Sequence, residues 1–280
     1  MPVGGSPAEW RARLSDPGSP VCAPDWLALR EPADAAARSA DLLGELGDRA
    51  PAVIHDLGCG TGSMLRWLAP RLPTPQHWVL HDRDVALLDR AVADLPPGVT
   101  GETRAGDLTA LRAEDLAPAQ LVTASALLDM LTAEEVDGIA AACAGAGCPA
   151  LLAMTVSGEV EIVPPDPLDA EFAAAFDAHQ RRTVGGRQLL GPDAADTAVA
   201  AFRRHGMTVR TVDTPWRLDE VDHALAARWL TERVAAAVEQ QPDLAERATA
   251  ALHRRLVNCA PLRAVIYHVD LLALPNGGPP

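Results

Sequence analysis

The sequence contains no lysine; all 24 of its basic side chains are arginines. That absence excludes a lysine Schiff base, a lysine general base and the lysine of a P-loop. Asparagine is nearly missing as well, and with the surplus of alanine and arginine this pattern reflects coding bias. Cysteine is sparse: Cys22, Cys59, Cys143, Cys148 and Cys259 form an odd set with no Cys-x-x-Cys pair. Such a set fits neither a disulfide framework nor a zinc site, so no metal is expected and the thiols point to a reducing compartment. No apolar run approaches the roughly 20 residues that span a bilayer, and no basic-then-apolar segment marks a secretory signal. The expected location is therefore cytoplasmic, with no membrane partner. Positive charge is also short, 38 acidic groups against 24 basic ones giving a net −14. Nucleic acid needs a basic stripe and none is present, so it is not an expected partner.

What remains is a chain of 280 residues, 48% apolar, with mass for one large domain or two small ones. Residues 1–24 read as a loose arm around a short helix at Trp10–Leu14. Pro32, taken as a first-turn proline, opens a helix to Leu46 that Gly47 and Pro51 stop. Apolar runs then recur at Ala52–Leu57, His77–His81, Val99–Ala105, Ala119–Ser125 and Pro149–Val156. Helical stretches lie between them at Ser63–Leu72, Asp84–Leu95 and Thr132–Ala144, with a short turn near Ala113. Thr132 with Glu135 three residues on is a capping-box pattern. Strands alternating with helices predict a doubly wound α/β domain built on a parallel sheet.

After Val156 the pattern changes. Three prolines at 164, 165 and 167, a helical piece at Ala170–His179 and glycines at 185, 186 and 191 read as an insertion across the sheet edge. Asp193–His205 predicts a helix closed by Gly206, and Met207–Val212 a strand. Two helices broken at Pro242 fill Asp219–Asn258, and Ala264–Leu274 is a final strand, together suggesting an edge hairpin with helical filling. The expected organisation is an arm and helix over 1–35, an α/β core over 36–156, a lid insertion over 157–192, a completion of the sheet over 193–274 and a disordered tail over 275–280.

The informative stretch is Val53-Ile54-His55-Asp56-Leu57-Gly58-Cys59-Gly60-Thr61-Gly62. An apolar strand runs into three alternate glycines and then a helix, so the backbone can turn sharply and approach a ligand. A dinucleotide fingerprint reads Gly-x-Gly-x-x-Gly; here the spacing is Gly-x-Gly-x-Gly, with Asp56 two before the first glycine. Asp56 would repel a pyrophosphate and attract a cation, such as a sulfonium with an α-amino group. Trp78–Asp82 is a strand ending in an acid placed to accept from ribose hydroxyls; otherwise Asp82 or Asp84 caps the helix beginning at Val85. Asp107, after the third strand, could accept from an adenine amino group while Leu108 packs on the ring; taken alone it is equally a turn residue.

On these residues the chain resembles the class I S-adenosylmethionine-dependent methyltransferases, over roughly 36–156 by motif and 207–274 by topology. The stretches Trp26–Ser39 and His179–Arg182 look similar to a bacterial small-molecule branch of these enzymes. The resemblance implies a mostly parallel seven-stranded Rossmann-like sheet with an antiparallel last strand, a helical lid insertion, and S-adenosylmethionine as cofactor. It places Asp56, Gly58, Gly60 and Gly62 at the methionine part, Asp82 at ribose, and Asp107 and Leu108 at adenine. Cys59, Arg83 and Ser125 join that set, Ser125 because the family's fourth strand lines the site near the transferred methyl. Arg38, on the helix entering the domain, could reach the methionine carboxylate. Where amino methyltransferases show an Asn-Pro-Pro-Tyr type of tetrapeptide, this chain has Ser125-Ala126-Leu127-Leu128-Asp129, so methylation of nucleic-acid bases is not supported.

A neutral hydroxyl acceptor needs a proton acceptor close by. His179, ending a helix in the insertion, is the catalytic candidate, with Asp129 to orient it; otherwise His179 is a helix-end residue on the dipole and Asp129 a cap. Arg181 and Arg182, with Arg187, suit a carboxylate or phosphate on a small-molecule substrate, unless the run is simply a solvated face. Trp216 could wall the acceptor pocket, although an aromatic there also suits a core. His55 and His81 flank the strand ends, and their alternation can point them into the helix layer. The expectation is a methyltransferase acting on a small molecule, oxygen preferred. The alternatives are a non-catalytic nucleotide-binding relative and a nicotinamide-dependent oxidoreductase.

Overall fold

The short apolar runs after Pro51 do form neighbouring strands. The structure is a computed structural model that describes residues 22–46, 51–93, 95–108, 111–257 and 262–276. The expected helix at Trp10–Leu14, Gly47, Cys259 and positions 277–280 of the expected tail lie outside the described residues. In chain order the strands are β1 (Val53–Leu57), β2 (Gln76–Asp82), β3 (Val99–Ala105), β4 (Leu121–Ser125), β5 (Ala150–Val163), β6 (Thr183–Val184), β7 (Arg187–Gln188), β8 (Met207–Asp213), β9 (Trp216–Leu218) and β10 (Arg263–Pro275). The helices are α1 (Pro24–Ala37), α2 (Asp41–Gly44), α3 (Ser63–Leu68), α4 (Val85–Ala93), α5 (Ala133–Gly145), α6 (Asp169–Gln180), α7 (Ala194–Arg204), α8 (His223–Gln240) and α9 (Ala245–Val257).

The main sheet has the order β3-β2-β1-β4-β5-β10-β8, with β9 pairing β10 off that path. Strands β1 to β5 pair in parallel and β10 runs antiparallel to β5, β8 and β9, as expected for the last strand. Strand β1 lies between β2 and β4, so the chain winds outward in both directions from it. A crevice at the carboxyl ends of the strands follows at that reversal. The pleat sends alternate side chains to opposite layers. Ile54, Trp78 and Leu80 join Met64, Leu65 and Leu230 on one face; Leu57, Val122 and Leu152 join Ile139, Cys143 and Phe202 on the other. The helix after Thr132 is capped as its pattern predicts, Thr132 Oγ1 accepting from the Glu135 N–H at 3.2 Å and Glu135 Oε2 from the Thr132 N–H at 2.9 Å.

Three elements differ from the sequence expectation. Pro32 is not in a first turn: Pro24 takes that place and Pro32 lies inside α1, which therefore crosses residue 36. Strand β5 does not end at Val156 but continues to Val163, because its outer half pairs with Arg263–His268 of β10. The helix expected to run on to Leu46 breaks, α1 stopping at Ala37 and α2 holding only Asp41–Gly44, whereas the expected edge hairpin does form, β10 pairing β8 at the end of the sheet. Strand β10 sits between β5 and β8, and its run of buried residues from Asp270 to Ala273 is covered on both faces.

Candidate active site

Strand β1 delivers the chain into a turn where Gly58, Gly60 and Gly62 all adopt left-handed backbone angles, φ 65°, 56° and 85°. At Gly58 an added Cβ would also lie 2.9 Å from Leu127 Cδ1, so that side chain would have to shift. Gly62 is the N-cap of α3. The turn is pinned to the end of β2: the Cys59 N–H donates to the His81 carbonyl and the Gly60 N–H to Asp82 Oδ2, each at 2.9 Å. The other carboxylate oxygen, Asp82 Oδ1, accepts from the Asp84 N–H at 3.0 Å. Asp84 is the residue that caps α4, taking the Ala86 N–H at 2.9 Å.

A cavity of about 390 Å³ opens beside this turn. Of the residues expected to bind the cofactor, Arg38, Asp56, Gly58, Cys59, Gly60, Asp82, Arg83, Asp107, Leu108 and Ser125 border it. Gly62 is not among the lining residues; it stands behind the turn as the helix cap. Arg38 is buried and spans the cavity floor, Nη2 donating to Ser125 Oγ at 2.9 Å and Ser63 Oγ at 3.1 Å. Asp56 is buried with Oδ1 accepting from Thr123 Oγ1 at 2.7 Å. Burial pushes its carboxyl up to about 7, against the opposing pull of Thr123 and Arg38. Asp56 Oδ2 and Arg38 Nε are buried and have no hydrogen-bond partner among the described residues. One unmet acceptor and one unmet donor beside the same cavity suit a ligand bearing both an ammonium and a carboxylate.

Other parts of the cavity wall are built from residues that the sequence reading missed. Cys22, Leu27, Arg30 and Asp34 come from α1 and the segment before it, Met130 and Leu131 from the turn after β4, and Glu135 from the first turn of α5. Arg30, Asp34 and Arg38 follow one another at intervals of four, a charged stripe along one side of α1 and its C-cap, and that spacing was the available signal. Arg30 is clamped by Asp34 through Nε at 2.9 Å and Nη2 at 3.1 Å. Arg187 also borders the cavity, its Nε and Nη2 bound to Glu135 at 2.7 and 2.6 Å.

The expected catalytic and substrate residues lie outside the lining. His179 is buried near the end of α6, its imidazole acidified by burial and then by Arg182. Arg181 forks onto Asp193 at 2.6 and 2.7 Å, and Arg182 turns back to the His179 carbonyl at 3.0 Å. Trp216 is buried behind α1, its Nε1–H donating to Asp34 Oδ1 at 3.0 Å. Asp129 is half-buried beyond the lining, yet burial pushes its carboxyl up to about 6, with Arg30 and Arg182 pulling it down. His55 and His81 are buried against each other, Nδ1 and Nε2 lying 3.2 Å apart, and burial lowers both to about 4.

Residues 54–147, about a third of the chain, match the model of a methyltransferase domain family. Among solved structures the chain is similar to a cyclopropane-fatty-acyl-phospholipid synthase-like protein from Lactobacillus casei, at 17% identity and TM-score 0.51 over 89% of this chain and 92% of that one. It is also similar to a magnesium protoporphyrin IX methyltransferase from Synechocystis with bound S-adenosylhomocysteine, at 14% identity and TM-score 0.44 over 95% and 93% of the two chains. No curated protein matches the sequence. Among the described residues no helix is long and apolar enough to cross a membrane.

Proposed function

We propose that this chain, an S-adenosylmethionine-dependent methyltransferase by its domain over residues 54–147 and its fold, methylates an oxygen atom of a small molecule. In this reading Asp82 receives the ribose hydroxyls, with two N–H bonds already fixing its plane. Asp107 and Leu108, at the end of β3, take the adenine, and Cys59 and Arg83 close the sides. The unmet Asp56 Oδ2 receives the ammonium and Arg38 the carboxylate of the methionine part. Bound there, the cofactor supplies a methyl group whose bond to sulfur breaks as the acceptor oxygen takes it, the electron pair staying on sulfur.

This chain's own tasks are alignment, exclusion of water and removal of one proton. The observation that carries the oxygen reading is Asp129. A carboxyl raised to about 6 by burial is ionised near neutral pH and is a better proton acceptor than an exposed aspartate. It stands four residues after β4, outside the lining itself, in the turn whose Leu127, Met130 and Leu131 border the cavity, and in this reading its carboxyl reaches the acceptor from there. The hydroxyl gives its proton to Asp129 as its oxygen forms the new bond to carbon.

The test is a labelled-methyl assay of the purified chain against hydroxyl, amine and thiol compounds, paired with calorimetry of S-adenosylhomocysteine. Label on hydroxyl compounds, lost in Asp129→Asn with homocysteine-cofactor affinity kept, supports the reading. Label confined to amines or thiols, or full turnover by Asp129→Asn, overturns it.

A further inference from the structure

Arg30 is held with more care than a structural arginine needs. Its side chain is 13% exposed, and Asp34 takes the Nε and Nη2 side of the guanidinium in two parallel bonds of 2.9 and 3.1 Å. Asp34 is in turn fixed by the Trp216 Nε1–H at 3.0 Å, while the guanidinium stacks over the same Trp216 ring at 5.0 Å. Two residues from distant parts of the chain thus lock one arginine in orientation and plane. The lock leaves Nη1 without an acceptor among the described residues, in a side chain that borders the cavity. A planar fork preset in this way suits a carboxylate approaching end-on.

We infer that the methyl acceptor is a hydroxy acid, and that Arg30 anchors its carboxylate. The inference rests on the oxygen-methyltransferase reading above and names the substrate class for it. Two further observations support it. The charge of Arg30 is among those that pull the Asp129 carboxyl down against burial, so the anchor acts on the proton acceptor of the same site. Arg187, another arginine of the lining, is committed to Glu135 through Nε and Nη2 and to the Met130 carbonyl at 3.3 Å, so it offers an incoming anion less than Arg30 does. The role expected of Arg181 and Arg182 therefore passes to Arg30, and Trp216 contributes as a positioning residue behind it.

The experiment uses the full chain with labelled S-adenosylmethionine and a panel of aromatic and aliphatic hydroxy acids, each beside its methyl ester and its primary amide. The expected result is transfer to one or more acids and little to the matching ester or amide. Arg30→Gln is expected to raise KM for the acid by roughly 10- to 100-fold, the share of a charge-assisted fork, while S-adenosylhomocysteine affinity stays. Because Arg30→Gln leaves the buried Asp34 carboxylate with the Trp216 N–H but no cation, the double variant Arg30→Gln/Asp34→Asn gives the same readout without a stranded charge. Trp216→Phe is expected to raise KM for the acid several-fold and to leave KM for any ester unchanged. Esters or amides methylated as well as their acids would overturn the inference and leave the oxygen reading standing. Cofactor binding with no transfer to any hydroxyl compound would overturn both.

Discussion

The Gly60 N–H donates to Asp82 Oδ2 at 2.9 Å, so the glycine turn and the acid ending β2 form one hydrogen-bonded unit. The same carboxylate takes the Asp84 N–H through its other oxygen, which orients it before any ligand arrives. Asp82→Ala should therefore remove both the ribose acceptors and a brace of the turn. Each hydrogen bond to a charged group is worth about 1.5–3 kcal/mol, which translates into a loss of S-adenosylhomocysteine affinity on the order of 10- to 100-fold. Calorimetry measures it, and an unchanged Kd would remove Asp82 from the site.

Gly58 and Gly106 both border the cavity but differ in what they demand of the backbone. Gly58 has φ 65° and an added Cβ would meet Leu127 at 2.9 Å, whereas Gly106 has nothing within 4 Å of that position. Gly58→Ala should cost roughly 1–3 kcal/mol of stability through the left-handed strain and the contact. Gly106→Ala should leave the melting temperature close to wild type. Thermal melts of the two variants side by side check the difference.

Asp56 makes both stability and cofactor binding depend on pH, in opposite senses. Its folded value of about 7 lies above the unfolded value near 4, so its contribution to stability is full below about pH 4 and is lost as pH rises toward 7. A cationic ligand needs the ionised carboxylate, so cofactor affinity should fall as pH drops below about 7. Asp56→Asn should flatten both profiles, melting higher than wild type at pH 8 while binding S-adenosylhomocysteine more weakly there. Melts and titrations from pH 5 to 8 read both effects.

Asp129 predicts a second, separate pH effect. With its carboxyl near 6, the acid limb of kcat for a hydroxyl acceptor should fall as the group protonates below that pH. The limb should vanish in Asp129→Asn along with most of the rate. A limb that persists in the variant would assign the proton to another group.

The legible part of this molecule was local. Asp84 reads as a cap from its place before Val85, Thr132 and Glu135 read as a box, and the alternate glycines read as a turn, because each depends on neighbours a few residues away. His179 misled for the opposite reason. Its position near a helix end is visible in sequence, but its direction depends on how α6 packs and not on its own segment. Pro32 misled because Pro24 competes for the same first-turn role and lies eight residues earlier. Arg30 and Trp216 could not be paired from sequence, since the contact joins a helix before the sheet to a strand near its end.

Asp270 carries the last prediction, which concerns the frame behind the cavity. It is buried on β10 where the register with β5 shifts between Val269 and Leu271. Its Oδ1 accepts from the Met154 N–H at 2.8 Å and Thr214 Oγ1 at 2.9 Å, and its Oδ2 from the Ser39 N–H at 2.9 Å. Met154 has φ 58°, an uncommon angle for a side chain of that size, and the Asp270 bond is what meets its N–H there. Ser39 follows Arg38 directly, so one carboxylate ties the irregular turn of β5 to the end of α1 that supports the cavity. Asp270→Ala strands two buried N–H groups and a hydroxyl, at about 1–3 kcal/mol for each unmet group, and should destabilise the fold by several kcal/mol. Asp270→Asn keeps one carbonyl acceptor and should lose roughly half as much. Denaturant melts of the two variants give the comparison, and equal losses would mean that the charge of Asp270, not its geometry, holds the frame.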